Sequence, residues 1–254
     1  MKIVDSHCHI DDEKFDQDRE KVISNFEDDG IDFIVDPASD ISSSEKIIEI
    51  VKKYDRVYGA VGIHPHEVED VTDEDLKKVY EMSFSEKIVA IGEIGLDYYY
   101  DNSPREKQKE IFRKQLEIAE KRNLPVIIHT RDAIMDTLEI LKENPVKNKG
   151  VFHCCPQNRE LIKEGLKLGF YISFAGPITF KSSKNADEMI NLVPNDRILI
   201  ETDSPYLAPE PVRGTRNTPI NVKYVAQKIA DAKGMTLEQI ADITYENARK
   251  IFKI

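Results

Sequence analysis

Short apolar runs alternate with longer amphipathic stretches along the whole chain. The runs are Lys2-Ile-Val4, Asp32-Phe-Ile-Val35, Val57-Tyr-Gly-Ala-Val-Gly62, Ile88-Val-Ala-Ile-Gly92, Pro125-Val-Ile-Ile128, Gly150-Val-Phe152, Gly169-Phe-Tyr-Ile-Ser173 and Ile198-Leu-Ile200. They are rich in Val and Ile and do not alternate polar with apolar, which is the pattern of parallel strands buried on both faces. The stretches between them have helical periodicity. Phe15, Val22, Ile23 and Phe26 fall on one helical face, as do Ile47, Ile48, Val51 and Tyr54. Ser103-Pro-Arg-Glu106 reads as a capping box with proline in the first helical position, ahead of the stripe Ile111, Phe112, Leu116 and Ala119. Thr236-Leu-Glu-Gln239 reads as a second box, opening a closing helix with Ile240, Ile243, Ala248 and Ile251. Eight strand–helix units in 254 residues come to about 32 residues each, the size expected of one α/β barrel, a (β/α)8 TIM barrel over residues 1–254. A doubly wound open sheet is the alternative. No linker divides the chain. No G-x-G-x-x-G or G-K-[ST] follows a strand, so no nucleotide cofactor is expected.

Composition restricts the partners. There are 47 acidic against 36 basic residues, a net charge of -11, which argues against a broad basic nucleic-acid footprint. It leaves room for nucleic acid held only at its end through metal ions. No apolar run approaches the roughly 18 residues of a membrane helix, and Met1-Lys-Ile-Val-Asp-Ser-His7 does not read as a signal peptide. Three cysteines cannot all pair, and Cys154 and Cys155 are adjacent. The reading is a cytoplasmic protein with free thiols and no membrane partner.

All six histidines, His7, His9, His64, His66, His129 and His153, lie at or just past the C-terminal end of an expected strand. In a barrel, active sites form on that face. His7 and His9 are two apart on an extended segment, so both rings face one side and Cys8 the other. Such a pair can bind one metal ion; alone it reads equally as a hydrogen-bonded pair. Glu93 follows the fourth apolar run and Asp203 the last. A carboxylate in such a place is costly unless paired or metal-bound, and the bland reading of each is a helix cap or salt bridge. Cys154 and Cys155 read as small buried thiols rather than soft ligands.

Ser6-His-Cys-His9, Gly62-Ile-His-Pro-His66, Gly92-Glu-Ile-Gly-Leu-Asp97, Ile128-His-Thr-Arg131, Phe152-His153, Glu201-Thr-Asp-Ser-Pro205, Arg213-Gly214 with Asn217, and Glu246-Asn-Ala-Arg249 occur in this order. Together they resemble the TatD family of metal-dependent hydrolases, in the amidohydrolase superfamily, over essentially the whole chain. The resemblance implies a single barrel. It implies one metal on His7, His9 and Asp203, Glu93 bridging to a second, and His129 and His153 completing that second site. Family members include DNases, notably 3′-to-5′ exonucleases, and related members deacylate misacylated tRNA. One departure concerns the segment after His153, which is Cys154-Cys-Pro-Gln157 where the family commonly has Phe-Ser-Gly; it bears on substrate preference, not on the metal ligands.

Six ligands are too many for one catalytic ion with an open position, and suit two divalent ions about 3.5–4 Å apart. Mixed nitrogen and oxygen donors favour zinc, manganese or iron, and magnesium is possible where substrate phosphate adds oxygens. No lysine follows a strand where a carboxylated bridge would sit. The expected activity is 3′-exonuclease hydrolysis of single-stranded DNA, with Asp203 and Glu93 catalytic. The alternative is hydrolysis of an ester or amide such as D-aminoacyl-tRNA. His64 is expected to contact substrate, and Arg131, two past His129, to fork onto phosphate or else pair with Asp132 or Glu201. Tyr98-Tyr-Tyr100 can stack bases or merely cover a helix. Glu69-Asp70 and Asp73-Glu-Asp75 read as a solvated helix start.

Overall fold

A computed structural model describes residues 1–254. One parallel sheet holds eight strands in chain order: β1 (Ile3–Asp5), β2 (Ile31–Pro37), β3 (Val57–Val61), β4 (Ile88–Asp97), β5 (Val126–Arg131), β6 (Gly150–Phe152), β7 (Tyr171–Phe174) and β8 (Ile198–Ile200). The sheet curls until its edges meet. Past the ends of β1 and β8, the Ser6 N–H donates to the Ile200 carbonyl at 3.0 Å, that of Asp203 to His7 at 3.0 Å and that of His9 to Ser204 at 2.8 Å. This is the expected (β/α)8 barrel, and the sequential strand order excludes a doubly wound sheet.

The unbroken Val/Ile runs follow from two apolar surfaces. Val4, Val35, Ile127, Val151 and Leu199 belong to an inner cluster that fills the barrel. Their neighbours Ile3, Ile34, Ile128, Phe152 and Ile198 belong to the larger cluster between sheet and helices. Successive residues therefore bury on opposite faces, and both faces are dry. The last helix, Leu237–Phe252, contributes Ala248, Ile251 and Phe252 to the inner cluster. Its expected capping box is formed: Thr236 and Gln239 each accept the other's backbone N–H.

Three local expectations are corrected. First, β4 does not end at Gly92 but runs to Asp97, with all ten residues buried. Its pairing with β5 shifts register between Ile91 and Ile94. Gly95 sits at φ +145°, against the His129 carbonyl, where no Cβ fits. Glu93 is thus inside a strand. Second, the helix Arg105–Arg122 starts one residue later than expected and without the Ser103 cap, because the Ser103 hydroxyl donates to the His66 carbonyl at 2.9 Å and Pro104 is the capping residue rather than the first helical one. Third, Phe15 to Phe26 is not one helix but Glu13–Phe15, Arg19–Ser24 and Phe26–Asp29. The Asp12 side chain holds the first turn, Asn25 interrupts, and left-handed Gly30 ends the last. Phe15, Ile23 and Phe26 are nevertheless buried. The acidic run opens the helix Asp73–Met82 with a Thr72/Asp75 capping box. No helix is long and apolar enough to cross a membrane.

Candidate metal centre

The mouth of the barrel gathers the histidines. His7 and His9 follow β1, His64 and His66 follow β3, Glu93 and His129 lie in β4 and β5, His153 follows β6 and Asp203 follows β8. Cys8 turns the other way, into the core.

Glu93 divides the cluster. Its Oε2 lies 3.4 Å from His7 Nε2 and 3.6 Å from His9 Nε2. Its Oε1 lies 2.9 Å from His129 Nδ1, 2.7 Å from His153 Nε2 and 3.5 Å from His64 Nε2. Asp203 Oδ1 stands on the first side, 3.5 Å from both His7 and His9 Nε2. No lysine or arginine reaches either carboxylate, so the balancing charge comes from protons on the rings or from cations.

The donor set fits divalent ions. His7 and His9 turn their Nε2 atoms toward each other at 3.1 Å, as His129 Nδ1 and His153 Nε2 do at 3.2 Å. A tetrahedral ion with bonds of about 2.0–2.1 Å holds its donors about 3.3–3.4 Å apart. On the His7/His9 side the separations scatter about that value. On the His129/His153 side they are hydrogen-bond lengths, as suits rings that carry protons until a cation replaces them. Three of the four far nitrogens are tied: His9 Nδ1 donates to the Pro37 carbonyl at 3.0 Å, His129 Nε2 to Asp97 at 2.9 Å and His153 Nδ1 to Glu201 at 3.3 Å, while His7 Nδ1 is buried without a partner. Such bonds fix which nitrogen presents its lone pair.

Electrostatics agree with this arrangement. Burial opposes ionisation of Glu93, but His153, His64 and His7 hold its carboxyl well below the usual range. Burial likewise opposes charging of His9, and Asp203 and Glu93 overcome it, lifting the ring to about 9. His153 is raised against burial by Glu93 and Glu201. Burial lowers His64 to about 4, so it is neutral. Its Nδ1 accepts the His66 N–H at 3.2 Å. The neutral ring therefore carries its proton on Nε2 and presents a donor, not a lone pair, to the cleft.

His66 turns its Nε2 to Asp97 at 3.0 Å, away from the cluster. Arg131 stands at the rim, exposed, and pairs with neither Asp132 nor Glu201; its guanidinium lies 3.9 Å from the Tyr99 ring centre and 4.8 Å from that of Tyr100. Cys154 is half-buried and Cys155 buried, both free, and burial pushes both thiols up. Neither joins a cluster of metal-type donors. Two acids were not expected in the metal centre. Asp97 and Glu201 are buried and hold His129 and His153 from behind. An acid at the end of β4 is a signal for Asp97 only once β4 is known to extend that far.

The family model for TatD-related DNases matches residues 4–253. The chain is 46% identical to the uncharacterized metal-dependent hydrolase YabD of Bacillus subtilis (strain 168), covering 99% of both chains. It is 40% identical to the uncharacterized metal-dependent hydrolase YcfH of Escherichia coli (strain K12), covering 100% of this chain and 97% of that one. Among solved structures, it superposes on the TatD homolog YJJV of Escherichia coli K12 with a TM-score of 0.94 at 27% identity, covering 99% and 98% of the two chains.

Proposed function

The chain belongs to the TatD-related DNase family of metal-dependent hydrolases, and from that premise we propose that it hydrolyses phosphodiester bonds at the 3′ end of single-stranded DNA. The observation that carries this reading is the division of one buried carboxylate, Glu93, between two sets of imidazoles. His7, His9 and Asp203 would hold one divalent ion, His129 and His153 the other, with Glu93 shared between them. Two such ions, whether zinc, manganese or magnesium, supply Lewis-acid activation of water and of the group attacked.

The protein's own residues do the rest. Asp203 is kept ionised against burial by His9, His7 and His153, which suits it to orient a water and take its proton. His64 offers a neutral N–H to an anionic oxygen. Arg131, free of carboxylates, offers its in-plane donors to a phosphate. The acidic chain has little with which to grip a long duplex, so few phosphate contacts and a shallow salt dependence are expected.

The test is a 3′-labelled single-stranded oligonucleotide beside the same sequence as blunt duplex and a D-aminoacyl-tRNA, each with zinc, manganese and magnesium. The expected result is release of mononucleotides, faster from the single strand. Release of amino acid from the charged tRNA with the oligonucleotide left intact would assign the centre to ester hydrolysis instead.

A further inference from the structure

Arg131 differs from the other arginines of the chain. Each of the others reaches a carboxylate, a carbonyl or a hydroxyl, as Arg105 reaches Asp101, Arg216 reaches Asp18, Arg122 reaches Ser83 and Arg249 reaches the Ile254 carbonyl. The guanidinium of Arg131 makes no hydrogen bond and no ion pair; it only lies over Tyr99 and Tyr100. Stacking satisfies its face and leaves all five N–H donors free in its plane. The two tyrosines are 58% and 55% exposed, with rings perpendicular at 5.0 Å, so much of each ring stands in water at the mouth.

This group is anchored to the metal centre. The N–H groups of Tyr99 and Tyr100 both donate to Asp97 Oδ1, at 3.0 and 2.9 Å. The other oxygen of Asp97 accepts from His129 and His66. The Tyr100 ring meets His66 edge-on at 5.2 Å, and His66 meets His64 at 4.3 Å. One wall therefore runs from Glu93 through His64 and His66 to the tyrosines, and a single buried carboxylate, Asp97, holds the tyrosine end, His66 and the neighbouring His129.

We propose that Tyr99, Tyr100 and Arg131 form a nucleotide subsite, the rings stacking the terminal bases of a single-stranded nucleic acid and the guanidinium holding the phosphate between them. This rests on the hydrolysis of such ends proposed above. Stacking on a ring face tolerates every base, so the subsite gives affinity for an unpaired end without sequence preference. Bases held in a duplex cannot reach it.

The test compares an oligonucleotide with one abasic at its last two 3′ positions, cleaved by the wild type, by the double variant Tyr99→Ala/Tyr100→Ala and by Tyr99→Phe/Tyr100→Phe. With two bases removed, the wild type is expected to prefer the intact end by about 30- to 10⁴-fold in kcat/KM. The alanine variant should treat both ends alike, near the wild-type rate on the abasic one, with bound metal unchanged; the phenylalanine variant should keep the preference. A wild type indifferent to the missing bases, an alanine variant equally slowed on both substrates, or a phenylalanine variant without the preference overturns the subsite. Should the wild type cleave neither oligonucleotide, the phosphodiesterase reading fails by itself. Fluorescence anisotropy then decides the subsite: tighter binding of the intact end by the wild type than by the alanine variant upholds it, and equal binding overturns it.

Discussion

The Glu93 carboxylate has no partner but histidines, and two of them, His129 and His153, are held from behind by the acids Asp97 and Glu201. Asp97 is the clearest case, since one of its oxygens accepts from His129 at 2.9 Å and from His66 at 3.0 Å. In Asp97→Asn one of the two acceptors becomes an NH2 group, so a single oxygen cannot serve both the imidazoles and the Tyr99 and Tyr100 N–H groups. Metal affinity should fall about 10- to 100-fold, read by competition with a chromophoric chelator, with the far-ultraviolet circular dichroism intact; unchanged affinity would remove Asp97 from this role. A pair of variants separates ligand from substrate contact. His64→Ala should keep its bound metal and lose activity, because the His64 proton sits on the nitrogen facing the cleft. Asp203→Asn keeps an oxygen donor but no basic group, so metal content should fall partly and turnover by about 10²–10⁴-fold. An active Asp203→Asn would mean that another group takes the proton. At this scale the histidines were legible in the sequence because a strand end fixes where a side chain points. Asp97 and Glu201 were not, since their roles depend on which ring each backs, and that is a matter of barrel closure.

At the level of elements, strand positions could be read from the Val/Ile runs because two dry faces leave no polar position to interrupt them. β4 was read short because Gly92, Glu93 and Gly95 break its apolar run, although the backbone continues through a register shift to Asp97. Caps were legible only where nothing competed for them. Ser103 has the right neighbours for a capping box but gives its hydroxyl to the His66 carbonyl, tying that loop to the mouth. Thr236 has no such competitor and caps the closing helix, whose far end enters the barrel interior. Thr236→Ala should therefore cost about 1 kcal/mol. That corresponds to about 2–4 °C in Tm for a chain of this size, measurable by calorimetry on the metal-loaded protein. A variant as stable as the wild type would mean that this end is frayed.

For the whole molecule, the barrel class followed from unit length and strand count, whereas closure rests on backbone bonds past the strand ends that no periodicity encodes. The collected charges also set how stability varies with pH. His64 is lowered to about 4 from 6.5, so the unfolded chain binds more protons at this ring between those values and this ring alone adds stability as pH rises from 4 to 6.5, against the opposite pull of the buried Asp5 and Asp36, both raised by burial. His9 is raised from 6.5 to about 9, which adds stability below pH 6.5 that is lost as pH climbs through 9. The metal-free Tm should thus fall as pH climbs from 6.5 to 9, and saturating divalent cation should lift that alkaline limb, because it takes the place of the proton. A metal-free Tm that climbs steadily to pH 9 would contradict this charge arrangement. The central claim is that one buried glutamate joins two cation sites, and metal stoichiometry tests it most directly. Elemental analysis of purified wild type and of Glu93→Ala, both verified as folded, should find two divalent ions per chain in the first and one or none in the second. Two ions retained in Glu93→Ala, or a single ion in the saturated wild type, would contradict it.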